Sequence, residues 1–304
     1  MIAQVIADTI VRAAELGLLA LGVTMIFAVL RFANFAQGEL SIIGGYSALA
    51  LVTAGLPLVL AGFLALCISG AVAVLCDRLL LRKIRKAPGL VLLIASIGLS
   101  LFLRHIVAAI WGVSGLAFPA PQVGTHAIFG AFVTTLQIWI VAIAVVAMFL
   151  FHGFLYRTRF GKALRALSDN RELAEARGIN VERMIPVLWF TVGAYAGLGG
   201  ILIGLETILT PEMGYNTMLP VFGAAILGGI GSVYGAILGA VIIAFAENVL
   251  VTFDWSWPVS LFRLIPIDGP LYVPTGYKVA VSFVILVFVL IFMPRGIMKG
   301  GTGD

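Results

Sequence analysis

The sequence predicts an all-α polytopic membrane protein, a single domain over residues 1–304 with about eight or nine transmembrane helices. The composition is the first observation: 62% of the 304 residues are hydrophobic and 11% are charged, whereas soluble domains carry about 25% charged residues. The second observation is a series of apolar runs of about 20 residues, the length that crosses a bilayer. Apolar and polar residues do not alternate in these runs as they do in the strands of a transmembrane β-barrel, so helices are predicted.

The clustering of basic residues is the third observation. Of 19 Lys and Arg residues, 14 lie in Arg78–Lys86, Arg157–Arg183 and Arg295–Lys299. Basic residues accumulate in the cytoplasmic loops of membrane proteins, so all three stretches are predicted to face the cytoplasm. The net charge of +5 therefore reflects membrane orientation, and no nucleic-acid partner is predicted.

The first apolar region is interrupted by Arg31–Glu39. Asn34, Gln37 and Glu39 are polar or charged, and Gly38 loosens the helix there. Broken helices at membrane depth occur where they line a cavity or are buried in protein. We interpret this stretch as a wall of a translocation path; the alternative is a short cytoplasmic turn.

The other spans follow from apolar runs and their charged or Gly/Pro-rich boundaries. Arg104 lies within the fourth span, and the sequence assigns it no role. Residues 113–135 are predicted to form an extracytoplasmic connection, and residues 253–275 an aromatic interfacial segment on the same side. The predicted spans are residues 9–30, 40–55 (if that stretch crosses fully), 57–77, 90–112, 136–156, 187–208, two within 217–252, and 276–293.

Glycine spacing predicts close helix packing in the sixth span. Gly193, Gly197, Gly200 and Gly204 are spaced four, three and four residues apart, which places them on one helix face. Small residues in such a row let two helix backbones approach closely. We therefore expect this face to serve packing and not chemistry.

The run 217–252 is too long for one span. The polar segment before it and Arg295 after it both belong inside, so an even number of crossings separates them. The spans 187–208 and 276–293 supply two, so the run crosses twice or not at all. Its turn is predicted at a glycine cluster, because Gly permits tight turns. The residues of this cytoplasmic hairpin are Gly228, Gly229, Gly231 and Ser232.

Arg157–Pro186 is a polar segment that holds eleven charged residues between two apolar spans. A stretch this polar must protrude into water, since charges in hydrocarbon are expensive. Asp169 and Glu172 stand at capping-box spacing, which predicts a helix of about two turns that Asp169 caps and Gly178 closes. Isolated helices need about 12–15 residues, so a docking partner is expected to hold it. The alternative is an ordinary charged loop.

No catalytic machinery is apparent in the sequence. It contains no phosphate-binding G-x-x-x-x-G-K-[S/T] loop, nucleophile elbow or zinc-protease motif. Two Cys and three scattered His residues show no metal-ligand spacing. We therefore predict no enzyme activity, no catalytic residue, no metal site and no cofactor in this chain.

Four stretches together resemble a known family. The polar segment, with Gly161, Ala166, Asn170, Ala174 and Gly178-Ile179, looks like the cytoplasmic coupling segment of ABC-importer permeases. In particular it resembles the branched-chain amino acid (Liv-type) permeases, the smaller H-type of their two membrane subunits. Three further stretches agree in the family's order: Asn34–Glu39, Leu227–Ser232 and Met293–Gly296.

The resemblance implies a type II-like permease bundle in the bacterial inner (cytoplasmic) membrane. A second, related permease would complete the pore, two ATP-binding subunits would dock on the cytoplasmic side, and a periplasmic binding protein would deliver the substrate. ATP and Mg would be held by the ATPase subunits. The resemblance assigns ATPase coupling to Gly161, Arg165, Asp169, Asn170, Glu172, Ala174, Glu175, Gly178 and Ile179, and the translocation path to Asn34, Gln37, Gly38 and Glu39.

The function implied is ATP-driven import of branched-chain or related small amino acids, and two alternatives stay open. Related importers carry urea, short amides or small organic acids, and the sequence does not choose among these substrates. An ion-coupled secondary transporter would use buried ionisable residues, for which Glu39, Glu206 and Glu247 are candidates. A membrane-embedded enzyme would need clustered catalytic residues, which the sequence lacks outside the polar segment.

If Asn34, Gln37 and Glu39 face the path, cysteines placed there will react with water-soluble thiol reagents in at least one transport state. The measurement is labelling of each single-cysteine variant in membranes with and without ATP. If none of the three cysteines reacted in any transport state, this stretch would not line the translocation path.

Overall fold

The computed structural model describes residues 2–119, 124–229, 231–256, 272–293 and 296–298. A π-helical stretch, Asp77–Leu81, joins the third and fourth helices, and a 3-10 turn, Thr275–Tyr277, leads into the last one. The helices in these residues are α1 (Ile2–Leu30), α2 (Gln37–Thr53), α3 (Leu58–Cys76), α4 (Arg82–Ile84), α5 (Gly89–Trp111), α6 (Thr135–Arg157), α7 (Arg159–Asp169), α8 (Arg171–Ala176), α9 (Val181–Glu206), α10 (Met213–Gly228), α11 (Val233–Thr252) and α12 (Lys278–Phe292).

Each predicted span overlaps a helix. Within the described ranges, seven helical stretches are long and apolar enough to cross a membrane. α2 and α10, with 17 and 16 residues, are shorter and mostly buried inside the bundle. With these two the count agrees with the predicted eight or nine membrane helices, and the fold class is confirmed.

A short β-hairpin adds to the predicted all-α architecture. Strands β1 (Thr125–Ile128) and β2 (Ala131–Thr134) pair antiparallel, with Thr125 opposite Thr134. They lie in the stretch predicted as a connection between spans. Four-residue strands are too short to give a periodic sequence signal, so the hairpin was not predicted.

Two contacts orient the chain in the membrane. Arg31, just after α1, donates from Nη2 to the carbonyl oxygen of Ser168 in the polar segment, at 2.6 Å. At the other end of α1, the side chain of Gln4 exchanges hydrogen bonds with the backbone of Phe132 in the β-hairpin. The N-terminus and the polar segment therefore lie on opposite sides. With the basic polar segment predicted to face the cytoplasm, the start of α1 is expected to face out.

The predicted glycine face of α9 packs against α2 and α3. A Cβ built on Gly200 would overlap the carbonyl oxygen of Ser41, and one built on Gly44 would overlap the backbone of Gly197. Gly193 meets Ser69 and the residues around it on α3. These contacts let α2 lie buried in the bundle interior, where Ser69 Oγ also hydrogen-bonds the carbonyl oxygens of Leu40 and Gly193, each at 2.8 Å.

The hairpin predicted within 217–252 is also present. α10 and α11 run antiparallel, and a Cβ on Gly239 would overlap the backbone of Ala224. Gly231 precedes α11 and adopts a positive φ of 94°, so it belongs to the turn, as predicted. The run therefore folds as two antiparallel helices joined at the predicted turn, which is the arrangement that a double crossing requires.

One helix begins earlier than the span predicted for it. The sixth span was placed at residues 187–208, but its helix, α9, begins at Val181, because Asn180 caps it by accepting a hydrogen bond from the Arg183 amide. Charged residues in the first turn of a span concealed this helix start. Other predictions fall on residues outside the described ranges: most of the interfacial segment 253–275, Ile230 of the hairpin, and Pro294 and Arg295.

Replacing Gly200 with Val should destabilise the bundle by about 1–3 kcal/mol, because its side chain meets backbone atoms of Ser41 that cannot move aside. The measurement is the unfolding midpoint of the purified protein in detergent. Gly98→Val in α5 is the matched control, since no atom lies within 4 Å of a Cβ at that position. Equal midpoints for both variants would contradict the packing assignment.

Candidate functional site

The polar segment consists of two short helices laid against the bundle. α7 begins at Arg159, where the Thr158 side chain accepts from the Gly161 amide. Its buried residues are Gly161, Leu164 and Leu167. A Cβ on Gly161 would overlap the carbonyl oxygen of Phe154 on α6, so the glycine permits α7 to fold back on the preceding span. The sequence analysis predicted a single helix here and missed α7.

The predicted helix cap is wrong by one residue. Asp169 ends α7 and is exposed, whereas Asn170 opens α8 by accepting a hydrogen bond from the Leu173 amide at 3.0 Å. The Asp169–Glu172 spacing imitates a capping box, but Asp169 is already part of α7 and cannot adopt the extended cap conformation. Gly178 does take the predicted left-handed conformation, with φ of 84°.

α8 presents most of its surface to solvent. Ala174 faces the protein, while Leu173 is 54% exposed at the tip. Arg171 pairs with Glu175 along the outer face, with Nε 3.0 Å from Oε1. A six-residue helix with an exposed leucine is too short to be stable alone, so its outer face is suited to a partner.

The predicted coupling residues therefore divide into two groups. Some face the bundle: Gly161 and Ala174 are buried, Ile179 is partly buried in the core, and the Arg165 guanidinium lies 4.3 Å from the Tyr156 ring centroid. The exposed group is Asp169, Asn170, Glu172, Glu175 and Gly178.

Polar contacts tie the segment to the membrane helices. Arg31 reaches Ser168 from the break between α1 and α2. At the start of α9, Glu182 pairs with Arg82 at 2.9 Å and with Arg85 at 3.5 Å, and Arg85 also forms an ion pair with the buried Asp77 at 2.7 Å. The segment is therefore attached at two places and is not an independent loop.

The path residues of the sequence analysis lie together at the start of α2, and all are buried. Asn34 accepts from the Ala36 amide, and Gln37 donates to the carbonyl oxygen of Val192 at 3.3 Å. Gly38 lies against the backbone of Gly214 at the start of α10. In the chain by itself these side chains contact protein and not water, so their place on a path stays a prediction.

Glu39 forms the main polar contact of this region, with a partner that the sequence analysis left unassigned. Its Oε1 accepts from Nε and Nη2 of Arg104, at 3.3 and 3.1 Å, and from Ser100 Oγ at 3.0 Å. The Arg104 guanidinium lies 4.7 Å from the Tyr215 ring centroid. The sequence contained a signal for this ion pair, because an arginine within a span needs a carboxylate nearby.

A second buried ion network joins α1, α11 and α12. Arg12 contacts Glu247 through Nε at 3.2 Å and Glu15 through Nη1 at 3.3 Å. Ser282 Oγ donates to the other Glu247 oxygen at 2.5 Å. Glu247, which the sequence analysis named as a candidate ion-binding residue, is fully buried and paired.

The cytoplasmic hairpin is held by the C-terminal end of the chain. The amides of Ile297 and Met298 donate to the carbonyl oxygens of Leu227 and Gly228, at 2.8 and 3.0 Å. Ser232 caps α11 by accepting from the Gly235 amide, and Gly229 has a φ of 104°. The turn lies on the side of the polar segment, since Gly231 approaches Ala28 near the inner end of α1.

Comparison with known proteins decides the family. The family model described as "Branched-chain amino acid transport system / permease component" matches residues 5–290. The chain belongs to this family of ABC-type permeases. The resemblance read from its four stretches is thereby confirmed, and the permease is an integral membrane protein that crosses the bilayer several times.

Relatives of the permease match over nearly the whole chain. It is 33% identical over 298 residues to the high-affinity branched-chain amino acid transport system permease protein LivH of Escherichia coli (strain K12), covering 92% of this chain and 90% of the relative. It is 29% identical to the corresponding protein BraD of Pseudomonas aeruginosa, with the same coverage. The probable permease protein LivH of Methanocaldococcus jannaschii is 29% identical, with 97% and 91% covered.

Removing the cap of α8 tests the corrected geometry of the permease. Asn170→Ala should cost about 1 kcal/mol of local stability and speed amide exchange in α8 by about five-fold, because the Leu173 amide loses its acceptor. The measurement is hydrogen–deuterium exchange in detergent. Asp169→Ala is the control and should change amide exchange in α8 little. Faster exchange in Asp169→Ala than in Asn170→Ala would show that Asp169 is the cap after all.

Proposed function

We propose that this permease is one of two membrane subunits of an ATP-driven importer for branched-chain or related small amino acids. Its partners are a second, related permease, two ATP-binding subunits on the cytoplasmic side and a periplasmic substrate-binding protein, in a bacterial inner membrane. Membership of the family supports the importer class. The names of LivH and BraD support the substrate class.

One observation supports coupling above the others. Arg31 stands between α1 and α2, and its guanidinium holds the end of α7 through the Ser168 carbonyl oxygen at 2.6 Å. Six residues further on, the chain enters α2, which carries Gln37 and Glu39. One charge-assisted hydrogen bond and a short piece of backbone therefore connect α7 and α8 to Gln37 and Glu39, the residues assigned to the translocation path. A movement of the two short helices is transmitted to those residues.

The outer surface of α8 is the proposed ATPase contact. Leu173 supplies an exposed apolar side chain, and the surrounding Arg171, Glu172, Glu175 and Arg177 supply charges of both signs. An apolar centre with a polar rim is typical of transient protein interfaces. Closure of two ATPases on ATP then moves the helices as rigid bodies.

An ion-coupled mechanism receives less support from the same geometry. Such a carrier needs a buried carboxylate that can bind and release its ion. Glu39 and Glu247 are each paired with an arginine, at 3.1 and 3.2 Å, so a transported cation would have to compete with that arginine for the carboxylate. Glu206 accepts from Gln137 at 2.9 Å. Transport that collapses with an uncoupler but survives ATP depletion would favour this alternative.

Gly178→Val tests the proposal at the end of α8. Valine at a φ of 84° costs about 1–2 kcal/mol and moves the residues that follow the helix, so ATP-driven uptake should fall at least about five-fold while the protein still inserts. The measurement is uptake of L-leucine by proteoliposomes that contain the whole complex, beside membrane insertion.

Gly178→Asn is the matched control, because asparagine tolerates the left-handed region and should retain most of the uptake. Full uptake by the valine variant would show that this segment does not couple ATP hydrolysis to transport.

A further inference from the structure

Arg104 is a charged side chain deep within a span. It lies 15 residues along α5 from Gly89, which is about 22 Å at 1.5 Å per residue. A guanidinium at this depth does not face acyl chains without a large energetic cost. Its charge is offset by Glu39 on α2, which is 1% exposed.

Glu39 and Arg104 each keep a polar atom that has no hydrogen-bond partner among the described residues. Glu39 Oε2 is buried and receives no hydrogen bond from any residue the structure describes. The Arg104 side chain is 17% exposed, and its recorded hydrogen bonds use Nε and Nη2 but not Nη1. Most buried polar atoms in folded proteins have a hydrogen-bond partner. This pair keeps hydrogen-bonding capacity on both partners.

The surface beside Arg104 is polar as well. Tyr215 covers one face of the guanidinium and is 52% exposed. Asn216 on α10 and Glu212, just before α10 begins, are exposed as well. Exposed polar side chains on this surface are suited to water or protein and not to lipid. The exposed edge of Arg104 therefore meets an aqueous space between this chain and a partner.

Resting on the proposed function, we propose that Arg104 binds the carboxylate of the transported molecule as it passes this point. Glu39 and Tyr215 are positioning residues that hold the guanidinium. The ligand class is a small carboxylate, an amino acid or an organic acid. Urea and neutral amides, the other substrates considered from sequence, lack the group that this site recognises.

The chemistry fits transient binding. A guanidinium presents a planar fork of donors that matches a carboxylate, and the free Nη1 edge can engage one without breaking the contacts to Glu39. Glu39 also limits the affinity, because it already neutralises the charge. Conduction requires a site that attracts the ligand yet releases it.

The test uses the complete complex in proteoliposomes, with labelled L-leucine and labelled urea as separate probes. Arg104→Gln should lower leucine uptake per ATP hydrolysed about ten-fold to hundred-fold, the effect of losing a charge-assisted hydrogen bond. ATP hydrolysis stimulated by the binding protein should persist. Arg104→Lys should retain part of the uptake, and His105→Gln, an exposed neighbour, should retain nearly all.

A double variant separates binding from structure. Glu39→Gln with Arg104→Gln removes both buried charges, so it would restore uptake if the pair only stabilised the bundle. We expect it to remain as defective as Arg104→Gln alone. Restored leucine uptake in the double variant, or unchanged uptake in Arg104→Gln, overturns the proposal.

A labelling measurement reads the site directly. In a chain with Cys67 and Cys76 replaced by Ala, Tyr215→Cys should react with a charged thiol reagent, and L-leucine but not urea should slow the reaction several-fold. Equal protection by both probes overturns the proposal. ATP-driven uptake of urea and not of leucine by the unaltered complex also overturns it and leaves the importer class standing. ATP-driven uptake of neither probe counts instead against the proposed function.

Discussion

The close approach of α2 and α9 is the constraint on which the rest of the bundle depends. Ser41 and Gly44 of α2 lie against Gly200 and Gly197 of α9 with no room for a side chain between the backbones. Helices in a membrane gain little from the hydrophobic effect, because lipid tails are as apolar as leucine, so close van der Waals contact must hold them. Ser69 on α3 adds hydrogen bonds to both helices. α2 is thereby held inside the protein, where its polar residues are tolerated.

The packing of the helices also brings the buried charges of the bundle together in pairs. Glu39 on α2 reaches Arg104 on α5, and Glu247 on α11 reaches Arg12 on α1. In each pair the residues come from distant parts of the chain, and each pair joins two helices at membrane depth. Removing one member would leave an uncompensated charge, which is far more destabilising than removing both. The pairs therefore specify which helices are neighbours as well as adding stability.

The polar segment is joined to the helix bundle by short-range contacts. α7 packs on α6 through Gly161, and Arg31 fastens its far end to the break before α2. The outer face of α8 is left free for another protein. In the proposed importer, a displacement at that face acts on α2 through the Arg31 contact and the backbone that follows it, the same region in which Glu39 and Arg104 lie.

The sequence by itself determined the apolar helices and the hairpin near Gly229, because hydropathy and glycine act locally and leave a linear record. It also determined the family, through four short stretches. Asn170 was missed as the helix cap because Asp169 offers the same chemistry one position earlier, and α7 was missed because its apolar stripe of Leu164 and Leu167 is short. Only the tertiary structure decided that Arg104 meets Glu39 and that Arg31 holds Ser168. Those partners are 65 and 137 residues apart, and long-range pairs depend on how helices pack, which no local pattern encodes.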